Sequence, residues 1–425
     1  MTDLGLFLEG AEVLLENIKI VSVLSANIIG IGVLVVLGIS AKGIKSEWRK
    51  HGVALLSTGV CVFVLVSYAI VAISRIWHSA LSNLSNGLLI LSLLGLATGL
   101  LLFTKKVLVS GVSGIIVPLA ITALIVLVRF AFLKQLDYPL YHDSAEHYHI
   151  VDDLQNLGKP EQSANTNKIG NLNSERYYHL GFHSAVVVLA TQLRGSFNGA
   201  QLILITGHAF LIIFFLNLGI LASKLFSNSY AGISTVIFAG LGWSMPAYAI
   251  NWGKYPAISS LAILPLAVYW MINSYNPTHE NRRGYILLFG ISVLCAILLH
   301  SRSLLILGCV VTTMLTLKII WKRLSKDGID ILFCAEIGLI LLIIHFRPNL
   351  QAALLPYLKS TDLVTTLLAI AIMFFVASQN TKAVIGILTL MTYVAIASTI
   401  PTPAFLAREA GPYLLDRPLD RKSVV

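Results

Sequence analysis

The chain has 425 residues and a mass of 46.2 kDa, with 56% hydrophobic residues, 12% charged residues and a mean hydropathy of +0.82. Soluble domains carry about 25% charged residues, so a soluble enzyme, a disordered chain and a nucleic-acid binder with a basic face are excluded. The formal net charge of +10 is then an orientation signal for a multi-pass membrane protein.

The N-terminal segment carries Asp3, Glu9, Glu12 and Glu16 and no basic run, so it does not read as a secretory signal peptide. Apolar runs follow near 18–40, 52–74, 87–103, 107–132, 200–222, 230–250, 256–273, 285–300, 303–320, 331–345, 362–377 and 383–399. The expectation is an all-α polytopic protein with about 12 transmembrane helices, each span needing roughly 20 apolar residues. Cys61, Cys295, Cys309 and Cys334 lie inside apolar runs at no metal-binding spacing, which reads as four small buried hydrophobes.

The basic residues set the sidedness. Lys42, Lys45, Arg49, Lys50, Lys105, Lys106, Lys224, Arg282, Arg283, Lys322, Arg323, Lys326 and Lys382 fall on one side if the spans alternate. That requires the 13-residue stretch 181–193 to be re-entrant or interfacial. The positive-inside rule makes that side cytoplasmic. The N-terminus, the loop 133–180 and the C-terminal tail are then external.

At 48 residues, loop 133–180 is far longer than the other connections, and it holds seven of the chain's 20 acids. Its five tyrosines (Tyr138, Tyr141, Tyr148, Tyr177 and Tyr178) make it too aromatic for a linker. A short helix is predicted at about 143–157, stopped by Gly158 and Pro160. A flexible polar piece from Glu161 to Asn173 is expected next, before re-entry at Tyr177–His183.

Three clusters carry chemistry. In His142-Asp143-Ser144-Ala145-Glu146-His147-Tyr148-His149, helical spacing puts Asp143, Glu146 and His147 on one face. A carboxylate there suits a general base, carboxylates with imidazoles suit a divalent ion, and a solvated acidic helix has the same composition. Asn251-Trp252-Gly253-Lys254-Tyr255-Pro256 is a tight turn between two apolar spans. Lys254 is either a snorkelling anchor or a cation for a phosphate, with Tyr255 beside it. His300-Ser301-Arg302 interrupts a 36-residue apolar stretch. It is either a turn marker or, through the planar fork of Arg302, a second phosphate contact. Arg129 and Glu336 are further ionisable groups at membrane depth, and His208 and His345 read as packing or interface residues.

The order of these features resembles the GT-C class of membrane glycosyltransferases, whose relatives include protein O-mannosyltransferases and lipid A aminoarabinose transferases. In that class an external loop opens with an acidic motif, and Tyr141–Tyr148 is similar to it. Tyr177-Tyr178-His179-Leu180-Gly181-Phe182-His183 is similar to the re-entry segment, without its prolines and lysine, and Trp252–Pro256 is similar to the polar tip between two spans.

The resemblance covers about 107–345. It implies a core over 107–345 that contains loop 133–180, preceded by N-terminal membrane helices over 1–106. Membrane helices and an external tail over 346–425 would follow it. Relatives continue further, so the resemblance implies a C-terminally truncated chain.

The activity implied is inverting transfer of a hexosyl or pentosyl unit from a polyprenyl-phosphate donor to a lipid, glycan or protein acceptor on the extracytoplasmic side of the cell membrane. Asp143 is then the base, with Glu146 as helper. Lys254 and Arg302 serve the donor phosphate, Tyr255 and His300 bind substrate, and His179 and His183 orient donor or acceptor. No metal or other cofactor is expected where cations neutralise a monophosphate, although the Asp/Glu/His cluster keeps a divalent ion open. Membrane lipids are partners and nucleic acid is not. Other classes fit the composition: a transporter or flippase for an envelope lipid or polysaccharide, and a polysaccharide polymerase or ligase or a structural membrane protein without catalysis.

Overall fold

The computed structural model describes residues 3–40, 48–77, 80–110, 113–134, 136, 142–156, 179–242, 250, 253–275, 282–323, 325–348, 351, 355, 360–379 and 381–400. The flexible piece expected at 161–173, the aromatic pair Tyr177–Tyr178, Asn251–Trp252 and the C-terminal tail lie outside these residues.

Among the described residues the chain is all-helical. In order the helices are α1 (Asp3–Glu16), α2 (Ile18–Ser40), α3 (Trp48–Ile76), α4 (Ala80–Ser110), α5 (Ser113–Leu133), α6 (His142–Gln155) and α7 (Gly181–Gln192). Next come α8 (Gly199–Phe226), α9 (Ser229–Ile237, continued by a π turn over Phe238–Gly242), α10 (Tyr255–Ser274) and α11 (Arg282–Leu299). The last four are α12 (Ser303–Arg323), α13 (Lys326–Phe346), α14 (Ser360–Gln379) and α15 (Thr381–Ala397).

Seven helical segments are long and apolar enough to cross a membrane: Ile18–Gly38, His51–Ile76, Ala80–Leu101, Gly199–Phe226, Tyr255–Ser274, Arg282–Leu299 and Ser303–Ile320. At five further expected spans the apolar stretch among the described residues is shorter: Ala120–Leu133, Ser229–Gly242, Ile331–Phe346, Leu363–Ile372 and Thr381–Ala397. The apolar runs are thus helical, but only seven have spanning length among the described residues. Large exposed side chains such as Ile90, Leu94 and Leu101 on α4 and Leu287 and Leu294 on α11 are what lipid-facing surfaces require.

The chain forms two compact units. The first comprises residues 1–221 and 250–300. In it α2, α3 and α4 pack so closely that a Cβ on Gly30 would fall 1.9 Å from the Ser92 carbonyl oxygen. Small residues allow such backbone approach between membrane helices.

Contacts along the helices set their directions. His51 near the start of α3 bonds to the Tyr269 hydroxyl near the end of α10, and its ring centroid lies 5.4 Å from that of Tyr285 near the start of α11. Trp270 donates to the Thr58 hydroxyl at 3.2 Å. The starts of α2, α4, α8 and α10 and the ends of α3 and α11 therefore gather at one end of this unit. The opposite end carries the sequence positions Arg49, Lys50, Arg282 and Arg283.

Helix α7 has 12 residues, 11 of them buried, which gives it a length of about 18 Å, too short to span. Gly181 at its start packs against the Leu298 carbonyl at the end of α11. At its other end Gln192 receives a bond from Asn27 (2.7 Å) and donates to the Ser85 carbonyl near the start of α4 (2.9 Å). Ser92 donates to Asn27 as well, at 3.1 Å. Both ends of α7 thus meet the same end of the unit. Helix α1 corresponds to no apolar run in the sequence; it packs on α5, with Lys134 Nζ 2.6 Å from Glu12 Oε2.

The second unit comprises residues 222–249 and 301–425. Ile340, Val384 and Leu388 form its buried cluster, with Phe226, Phe333, Ile337 and Ile344 packed around them. Glu336 of α13 accepts a 2.7 Å bond from the Thr389 hydroxyl of α15.

Candidate functional site

At the end of the first unit where α7 lies, four segments bring titratable side chains together. Helix α6 supplies Asp143, Ser144 and His147. The approach to α7 supplies His179 and the first turn of α7 His183, the turn into α10 supplies the Gly253 carbonyl, Lys254 and Tyr255, and the end of α11 supplies His300.

Lys254 Nζ forms an ion pair with Asp143 Oδ2, joining residues 111 apart in sequence. The Lys254 side chain is 22% exposed and that of Asp143 37%, so the pair is open to a ligand. One turn along α6, His147 is buried and faces inward. Its Nδ1 lies 3.0 Å from His183 Nε2, and its Nε2–H donates to the Gly253 carbonyl at 2.9 Å. His183, also buried, donates from Nδ1–H to the His179 carbonyl at 3.1 Å. The His179 ring stands edge-on to His300, with centroids 4.9 Å apart.

Local structure explains this placement. Gly253 has φ of +68°, a left-handed conformation that costs a side-chain-bearing residue roughly 1–2 kcal/mol. That conformation lets the tip turn into α10 while its carbonyl meets His147. Pro256 then sits in the first turn of α10, where its missing N–H and fixed φ cost nothing. Tyr255 is buried, stacked on Phe182 with centroids 5.9 Å apart, and its hydroxyl bonds to Ser144. Gly207 of α8 makes the space for it, since a Cβ there would fall 2.2 Å from the Tyr255 ring.

Burial, and the nearby Lys254 charge, push His147 down to about 4, against the upward pull of its Gly253 bond and of Asp143. Burial and then the His147 ring hold His183 well below the usual imidazole range.

The structure therefore brings together Asp143, His179, His183, Lys254, Tyr255 and His300. Glu146 is half-buried on α6 three residues after Asp143. Arg302 belongs to the second unit, where its carbonyl accepts the Leu305 and Ile306 N–H groups at 3.1 and 3.4 Å as α12 begins. His147 is the residue that sequence reasoning underrates. Its i,i+4 spacing from Asp143 is legible in the sequence, but its role as the link between α6, α7 and the Gly253 tip is not. Among the described residues no three His, Cys, Asp or Glu side chains are grouped to hold a metal ion.

The sequence model of a family described as "Family of unknown function (DUF6541)" matches residues 14–400. No curated protein and no solved structure matches the chain.

Proposed function

We propose that this chain, which belongs to the DUF6541 family, is a membrane glycosyltransferase that uses a polyprenyl-phosphate sugar. The observation that carries this reading is the Asp143–Lys254 ion pair. It couples an acid on the long loop to a cation on a distant tip, the two features whose order resembles the GT-C class.

The chemistry is a single displacement. The acceptor hydroxyl oxygen attacks the anomeric carbon, the bond from that carbon to the phosphate oxygen breaks, and the configuration inverts. Asp143 takes the hydroxyl proton as general base. Lys254 leaves Asp143 for the donor phosphate and stabilises the charge that builds there as the sugar departs. Tyr255 and Ser144 fix the start of α10 against α6, so the two reacting groups keep their spacing. The sugar and the lipid, glycan or protein acceptor meet on the extracytoplasmic side of the cell membrane, opposite the end bearing Arg49, Lys50, Arg282 and Arg283. A transporter needs its ionisable groups near the midplane, whereas this cluster lies at one end of its unit.

The test is incorporation from a panel of radiolabelled polyprenyl-phosphate sugars by the purified full-length chain in proteoliposomes. Transfer that disappears in Lys254→Ala supports the proposal. No transfer from any donor, with a stably folded protein, overturns it.

A further inference from the structure

The hydrogen bonds around His147 and His183 fix a proton count. A backbone carbonyl only accepts, so His147 Nε2 must carry a proton for Gly253 and His183 Nδ1 must carry one for His179. That leaves His147 Nδ1 and His183 Nε2 facing each other at 3.0 Å. If both rings were neutral, two lone pairs would oppose each other at hydrogen-bond distance. One added proton turns the contact into an N–H···N bond of ordinary length. A second would set two N–H groups against each other.

We propose that His147 and His183 share a single proton at neutral pH, forming a buried cation behind Asp143 that acts as its second counter-charge beside Lys254. The proton count rests on geometry alone, and the counter-charge role rests on the proposed sugar transfer. Burial opposes charge on either ring taken singly. The shared bond and the Asp143 carboxylate, one turn away on α6, oppose that cost. Among the described residues, the other titratable groups packed around the pair include Lys254 and Tyr255 from α10, His179 at the approach to α7 and, beyond it, His300 from α11.

The arrangement gives the pair a positioning role. With Lys254 alone, a phosphate that captured the lysine would strip Asp143 of the cation paired with it. With the bis-imidazole cation behind it, Asp143 stays ionised while Lys254 moves. Lys254 opposes the charge on His147, so drawing it onto a phosphate tightens the pair's hold on its proton. By linkage, the protonated pair tightens phosphate binding.

Two readouts test this on the full chain in detergent, with ring-15N histidine. A scalar 15N–15N coupling across the His147–His183 contact at pH 7 is expected, because only a proton between the two nitrogens transmits it. Absence of that coupling, with two unprotonated ring nitrogens in the pair, overturns the proposal. The second readout is binding of geranylgeranyl monophosphate from pH 7 to 9.5. Wild-type affinity should fall about tenfold as the pair loses its proton. His183→Asn, whose amide can donate to a neutral His147, should bind about tenfold more weakly at pH 7 and lose that extra pH dependence. Equal pH profiles in both proteins would remove the counter-charge role. A coupling observed in a protein that transfers no sugar would sink the transferase reading and leave the shared proton standing.

Discussion

Replacing Lys254 with alanine separates a ligand-binding cation from a structural one. The Lys254–Asp143 pair is partly open, with side chains 22% and 37% exposed. Ion pairs in such surroundings contribute about 0–1 kcal/mol to stability, because water and salt screen them. Lys254→Ala should therefore lower the melting temperature of the detergent-solubilised protein by about 2 °C or less. The effect on binding a donor phosphate is larger. A charge-assisted bond is worth about 1.5–3 kcal/mol, or roughly 10- to 150-fold in affinity. Isothermal titration with geranylgeranyl monophosphate should show a weakening of that size, and Lys254→Arg should recover part of it by restoring the charge. Acceptor binding should change by less than about threefold, since the lysine faces the phosphate. A drop of many degrees in melting temperature with unchanged affinity for the phosphate would make Lys254 a structural clamp and remove it from the donor site.

Gly253→Ala should reduce activity through geometry, because strain of roughly 1–2 kcal/mol at φ of +68° shifts the carbonyl that holds His147; a normal turnover number in that variant would refute the link. Gly207→Ala should destabilise by about 1–3 kcal/mol through overpacking against Tyr255, and Gly207→Ala combined with Tyr255→Leu should recover part of the loss in thermal melts. Acid should weaken the fold through the histidine pair, which holds one shared proton and resists a second, because burial opposes charge on both rings and holds them below the roughly 6.5 of an unfolded histidine. Below pH 6.5 the native pair, with its one proton, binds fewer protons than the two histidines of the unfolded chain, so stability is lost as pH falls from 6.5 towards 4. Melts of wild type and His147→Gln at pH 7 and 4.5 that show the same acid sensitivity would refute the assignment. In a cysteine-free background, Ser196→Cys should react with an impermeant maleimide from outside intact cells and Arg283→Cys should not; the reverse pattern would place the site in the cytoplasm.

Much of this arrangement is legible in the sequence because apolar runs and breakers act locally. The helix expected at 143–157 is observed as His142–Gln155, ended before Gly158 and Pro160. The stretch 181–193 is observed as α7, a helix of 12 residues. What escapes the sequence depends on packing between segments distant in the chain. The Asn27–Gln192 bond links residues 165 apart, and no local pattern marks Gln192 as the anchor of α7. His147 reads as one of several imidazoles on a loop helix until Gly253 and His183 meet it from either side. The acidic N-terminus has no apolar run to mark α1 as a helix; its docking on α5 brings Glu12 to Lys134.

The most direct test of the account is the turnover of Asp143→Asn in the proteoliposome transfer assay, with donor affinity measured on the same preparation. Asparagine keeps the shape of the side chain and removes its basicity. The account predicts that turnover falls by about 10²- to 10⁴-fold, while affinity for the polyprenyl-phosphate sugar stays within a few-fold and the protein remains folded in the membrane. Full turnover in Asp143→Asn would contradict it, and would leave the α6 carboxylate as a solvated partner of Lys254 with no part in the chemistry.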